Sequence, residues 1–361
     1  MITKHVVMPT VLLILLGAFV AASATAREKY SETVELSLAL KGEKTLSVSS
    51  TNGTIEIRPG LGNEVGLKAI KTCSDRRKAE AEDVLKGIEV KMERDGDHIR
   101  VYSEYKGSKV NLGFGKIEVV RGFRNIRVDF YLVAPPEMAV GLNSTSGDID
   151  VKGMKAGADI NVTSGDCLLS GISGSVRLSA TSGDAEIEDV DGSLEVNNTS
   201  GDLVIRNAKG DVDANVTSGD VSVKQVGGQC RIESVSGDID VTGCRKSVAA
   251  RSSSGDITVT DCYGAVNVET SSGDVVLTSG NTIRGTHFVR ASSGEVIFRL
   301  KMGAGCGIDV STASGGIYGR IPINIESATR HRLKGTVGKG GDTVEIETAS
   351  GDVRLVLEGQ Q

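Results

Sequence analysis

The chain has no tryptophan, and aromatic residues make up 3% of its 361 positions. A core built on stacked rings is therefore excluded, and small aliphatic side chains must fill the interior. Histidine is nearly as scarce: beyond the first 26 residues only His98, His287 and His331 occur, scattered and outside any H-E-x-x-H pattern. With no G-x-S-x-G and no C-x-x-C either, the sequence offers no hydrolase elbow, zincin, zinc ribbon or thioredoxin-like pair. A basic cluster with interleaved aromatics is also missing, and the formal charge of −6 argues against a nucleic-acid partner.

Long hydrophobic runs are absent too. The main one, VLLILLGAFVAA from Val11 to Ala22, is shorter than the roughly 20 apolar residues that a membrane-spanning helix needs. It follows Lys4 and His5 and precedes Ala24-Thr25-Ala26, the pattern of a secretory signal with an A-x-A site. Residues 1–26 are thus expected to be a signal peptide, an uncleaved anchor being the alternative. The mature chain is expected in the periplasm or outside the cell, with no transmembrane span.

What the sequence has in abundance is glycine, 46 residues, and its placement is periodic. NVTSGD occurs at Asn161 to Asp166 and again at Asn215 to Asp220. Ser-Gly-Asp recurs with its glycine at Gly147, Gly165, Gly183, Gly201, Gly219, Gly237, Gly255 and Gly273, always 18 residues on. SGE at Gly294, SGG at Gly315 and SGD at Gly351 follow at steps of 21, 21 and 36. Self-similarity of this kind marks a repeat architecture.

Counting from each of the eight regularly spaced corner glycines, the second and fourth residues onward are apolar throughout, as in Leu203 and Ile205 or Val221 and Val223. The residues between them are mostly polar, the period-2 pattern of a half-buried strand. A second strand has its apolar residues eleven and thirteen places on, as in Val176 and Leu178 or Leu194 and Val196. A small or apolar residue at the seventh place and a frequent glycine at the ninth lie between the strands. One unit cannot cover its own core, so copies must stack. The expected fold is all-β: a parallel β-solenoid of 18-residue coils over residues 141–361. A hexapeptide helix would need an apolar residue every six, and a propeller blade a longer repeat.

Residues 27–140 read differently, as a β-rich region with one helix and a hairpin, placed to cap the solenoid's strand edges. TVELSLAL and TLSVSSTNGTIEIRP are strand-like, and Ser50-Thr51-Asn52-Gly53 looks like a degenerate corner. SDRRKAEAEDVLKG predicts a helix capped at Ser74 or Asp75, with Val84 and Leu85 inward and Gly87 as its stop. GIEVKMERDGDHIRVYSEY predicts a hairpin about Asp95-Gly96-Asp97. IRVDFYLVAPPEM is a strand ended by Pro135-Pro136.

These segments, followed by VAPPEMAVGLNSTSGDIDV and SGDI-type coils, resemble the bacterial toast-rack, or "putative adhesin", β-strand-repeat family over nearly all of the mature chain. The resemblance implies an extracytoplasmic, non-enzymatic module with links to adhesion or envelope stress, whose partner is a protein or a cell-surface or envelope component. It carries over no catalytic residue and no cofactor. A carbohydrate-active β-helix enzyme and a calcium-stabilised solenoid are the alternatives.

Three groups of residues stand out as candidate sites. The first is the acidic column Asp148, Asp166, Asp184, Asp202, Asp220, Asp238, Asp256 and Asp274. Carboxylates one strand spacing apart repel by roughly 1 kcal/mol in water, so they must stay solvated, accept hydrogen bonds or bind a cation such as calcium. The simpler expectation is that the carboxylate accepts a backbone N–H at the corner. The second group is Arg330, His331, Arg332 and Lys334, inside the 36-residue step, as a partner-binding loop. The third is Cys244 and Cys262, which share the seventh place in successive coils and so suit either a disulfide or a buried pair of core thiols.

Overall fold

The computed structural model describes residues 28–75, 78–106, 126–279 and 284–358. The expected signal segment, residues 1–26, lies outside them. The chain forms two compact units, residues 1–156 with 162–164, and residues 157–161 with 165–361.

In the first unit, the strands Glu28–Ala39, Glu64–Asp75, Ile126–Ala134, Ile55–Pro59 and Ile149–Lys152 lie side by side in that order. The first three pair antiparallel and the rest parallel. A second row runs Ala139–Ser146, Thr45–Asn52, His98–Tyr105 and Ile88–Asp95, its last two strands forming the expected hairpin with Asp95 opposite His98. Gly53 is a true corner, because the Cβ of an alanine at Gly147 would lie 2.1 Å from its carbonyl oxygen.

The single helix among the described residues is Lys78–Gly87, and Ser74 and Asp75 belong to the preceding strand. It buries Ala81 and Leu85, whereas Val84, expected inward, is half-exposed. Its carboxyl end is held by Lys71, 3% exposed on the neighbouring strand. The Lys71 ammonium donates to the carbonyls of Leu85 at 2.9 Å and Ile88 at 3.1 Å and pairs with Glu32 at 3.1 Å. A cation there meets orphan carbonyls and the negative end of the helix dipole.

The second unit is the solenoid. Each coil has one strand after the corner, such as Cys167–Ile172, and one before the next corner, such as Val176–Ser182. Both stack parallel on the next coil at a shift of 18, Cys167 beside Ala185 and Val176 beside Leu194. The expected apolar columns are buried, as are the seventh-place residues Ile172, Val190, Ala208, Val226, Cys244 and Cys262. Burying a Val or Leu is worth on the order of 1.5–3 kcal/mol, and each rung covers the next.

The corner explains the glycine. Gly219 has φ +131°, and a Cβ there would lie 2.1 Å from the carbonyl oxygen of Gly201 one coil away. Two constraints coincide, a backbone conformation costly for L-residues and a close backbone stack. A second left-handed position lies six residues after each corner from Gly165 to Gly255, where Gly171 and Gly243 stand beside Asp189, Asn207, Gln225 and Asp261, the last four with φ between 54° and 61°. It turns the chain so that the seventh-place residue points inward.

Beyond Gly294 the coils do not stack in chain order. The strand Thr343–Ser350 lies between His287–Ser293 and Cys306–Thr312, parallel to both. Likewise Val353–Leu357 lies between Val296–Leu300 and Ile317–Gly319. The corner glycines therefore stack as Gly294, Gly351, Gly315: a Cβ on Gly351 would strike the Gly294 carbonyl, and one on Gly315 the Gly351 carbonyl. The 36-residue step also holds an antiparallel hairpin of Ile323–Ala328 and Arg332–Val337, the latter pairing with Cys306–Thr312. Its outer strand shifts register between Ile325 and Ser327, an irregularity that keeps a sheet edge from templating another strand.

Candidate functional site

The acidic column is a hydrogen-bond ladder. Asp166 Oδ1 accepts the Asp184 N–H at 3.0 Å, Asp184 that of Asp202 at 2.9 Å, and Asp202 that of Asp220 at 2.9 Å. Asp220, Asp238 and Asp256 continue it to the N–H of Asp238, Asp256 and Asp274, and Asp274 accepts from Glu295. After the exchange of coils, Asp352 accepts from Gly316 at 2.8 Å. Asp148 stands at the equivalent corner of the first unit, where its carbonyl accepts the Ile55 N–H at 2.9 Å. An ionised acceptor makes a stronger bond than a neutral one, about 1.5–3 kcal/mol, which offsets the repulsion between neighbours in water.

Such a ladder is poorly suited to catalysis. A glycosidase places two carboxyl groups in contrasting environments so that one stays protonated while the other is ionised. The column repeats one environment from rung to rung, and one oxygen of each carboxylate from Asp166 to Asp274 is already engaged. Calcium takes six to eight oxygens, and among the described residues no group of three or more His, Cys, Asp or Glu is arranged to hold a metal ion.

The basic candidates fall into two pairs. Arg332 Nη2 lies 2.9 Å from Asp309, and Lys334 lies 3.5 Å from Glu326, the extra residue at the register shift. Arg332 thus resembles the cations on the outer face of the stacked strands, where Arg251 bridges Glu233 at 3.6 Å and Glu269 at 3.1 Å and Arg290 pairs with Glu347 at 2.8 Å. Pairs this exposed contribute little stability each. At the hairpin turn Arg330 is exposed and has no ion-pair partner among the described residues. His331 beside it is half-exposed, its backbone N–H donating to Thr329 Oγ1 at 3.4 Å and its carbonyl accepting the Thr312 N–H at 2.9 Å. Of the four basic candidates, Arg330 is therefore the one that is exposed and without an ion-pair partner among the described residues.

Cys244 and Cys262 are separate, buried thiols in the structure, not the disulfide their columns would allow. Contact with Cys230 pushes the Cys244 thiol above its ordinary range, and contact with Cys244, then burial, does the same for Cys262. Protonated thiols of this kind behave as small core side chains.

Sequence reasoning passed over His287. It occupies the apolar column, paired with Val344 in the stack and lining a small cavity with Val266, and is 4% exposed. Neither ring nitrogen has a hydrogen-bond partner, and burial lowers its pKa to about 4 against the partial opposition of Asp342. Its position in a column otherwise aliphatic or Cys was the available signal.

Against known proteins, the Toastrack DUF4097 family model matches residues 30–243 and 210–356. No curated protein matches the chain. Among solved structures, a putative cell adhesion protein from Clostridium sporogenes is similar at 12% identity, covering 92% of this chain and 100% of its own, with a TM-score of 0.21. A putative adhesin from Bacteroides fragilis is similar at 9% identity, covering 90% and 96%, with a TM-score of 0.25. One from Parabacteroides distasonis is similar at 12%, covering 91% and 97%, with a TM-score of 0.26. Likenesses so distant carry no functional argument, whereas the sequence match spans both the strand-rich first unit and the coils, and it makes this chain a member of the Toastrack family.

Proposed function

We propose that this chain is an exported, non-catalytic β-solenoid that serves as an adhesin-like structural and interaction module of the bacterial cell envelope. The observation that carries the reading is the contrast within the solenoid. The corner carboxylates are engaged by the next coil from Asp166 to Asp274, while the Arg330-His331 turn presents an unpaired cation to solvent. A rigid scaffold holding an irregular, charged turn where the regular spacing breaks is how binding loops are commonly displayed. The partner is a protein or a surface component with anionic groups, and no cofactor is required. No helix among the described residues is long and apolar enough to cross a membrane.

The test is binding of the purified full-length protein to intact envelope vesicles, with Arg330→Ala/His331→Ala alongside. Weaker binding at an unchanged melting temperature supports the reading. Unchanged binding, or turnover of a cell-wall polysaccharide that one carboxylate substitution abolishes, overturns it.

A further inference from the structure

The exchanged order of the coils has a consequence for assembly. The coil Thr343–Leu357 sits in a slot between two coils that precede it in the chain. On one side Val344 and Ile346 pair with His287 and Val289, and on the other with Ile308 and Val310. Val353 likewise lies between Val296 and Ile317. These are the generic contacts of one rung on another. A second copy of the chain presents the same rung, so the slot has no means of telling its own coil from a neighbour's.

The connection into that coil is built to pivot. Gly338, Gly340 and Gly341 have φ of +60°, +74° and +143°. A Cβ on Gly340 would meet no atom within 4 Å, so close packing does not require glycine there, and its left-handed backbone conformation is what favours it; its N–H is held by the Val337 carbonyl at 3.1 Å, a local bond that the segment can keep while it pivots. An insertable element behind a glycine hinge is the arrangement from which domain swapping proceeds, because the swapped contacts are identical to those of the monomer and only the hinge changes.

We infer that the Thr343–Leu357 coil is exchangeable, and that two copies of this chain associate by each inserting it into the slot of the other. The occupant of the slot is then a second copy of the chain, and the interface is the one already present within the monomer. This goes beyond the envelope-binding reading and does not depend on it.

The experiment uses full-length chains. Phe288 and Glu345 are neighbours across the slot, and adjacent strands lie about 4.8 Å apart, within the range a disulfide accepts. One chain carries Phe288→Cys and a second, differently tagged, carries Glu345→Cys. The two are co-refolded under reducing conditions and then oxidised. The expected result is a mixed, cross-linked dimer, with none when Glu326→Cys replaces Glu345→Cys. Deleting Gly340 and Gly341 should raise its yield severalfold, because a shortened hinge strains insertion into the chain's own slot. A single chain carrying both Phe288→Cys and Glu345→Cys must close internally, which establishes the geometry. Internal closure in that chain without any mixed dimer from the unshortened pair overturns the inference, even if the hinge deletion fails to fold.

Discussion

The coils from Gly165 to Gly273 and those after Gly273 are made of the same rung, yet they are organised differently. In the first stretch chain order and spatial order coincide, and each coil passes its backbone bonds to the next. In the second, a coil is inserted out of turn, a hairpin is added, and a histidine takes an aliphatic place in the core. The difference shows that a repeat specifies how a rung pairs, while which rung it pairs with is left to the connections.

The largest effect is expected from breaking the regular stack at its corner. Gly219→Ala would place a Cβ 2.1 Å from the Gly201 carbonyl at φ +131°, whereas Gly303→Ala, at φ +87°, meets nothing within 4 Å. Chemical denaturation should show a loss of at least about 4 kcal/mol for the first and about 1 kcal/mol for the second. Equal losses would mean that strain alone, and not stacking, explains the corner.

The irregular stretch should answer to acid instead. The folded pKa of His287, about 4, lies below its ordinary value of 6.5, so between these values the unfolded chain takes up a proton that the native chain refuses. The stability tied to this residue is full above about pH 6.5 and falls as pH drops toward 4, by roughly 3 kcal/mol in all. His287→Val should flatten that part of the stability profile relative to the parent protein. Parallel profiles would show that the imidazole is not buried neutral.

Legibility followed the same division. The 18-residue period, the apolar columns and the strand-turn-strand coil could be read from the sequence because one rule recurs in every copy. The left-handed place at Asp189, Asn207 and Gln225 could not, since several residue types satisfy it and no single letter repeats. Nor could the insertion of the Gly351 coil beside Gly294, because all rungs offer the same groups and the exchange leaves no local mark. The pairing of Arg332 with Asp309 depends on that long-range register, which is why the four basic residues looked alike in sequence. Ala81 was missed on the helix because its small side chain adds little to the apolar pattern.

The central claim is that the Ser-Gly-Asp corner is architecture and that recognition lies where the spacing breaks. Replacing Asp202, Asp220 and Asp238 together by Asn removes three charges but keeps an Oδ1 acceptor for each N–H. The most direct measurement is binding of that variant to envelope vesicles, with its melting temperature recorded in parallel. Unchanged binding, with a stability change under about 1 kcal/mol per site, is the predicted result. Loss of binding with the fold intact would contradict the account and return function to the corner.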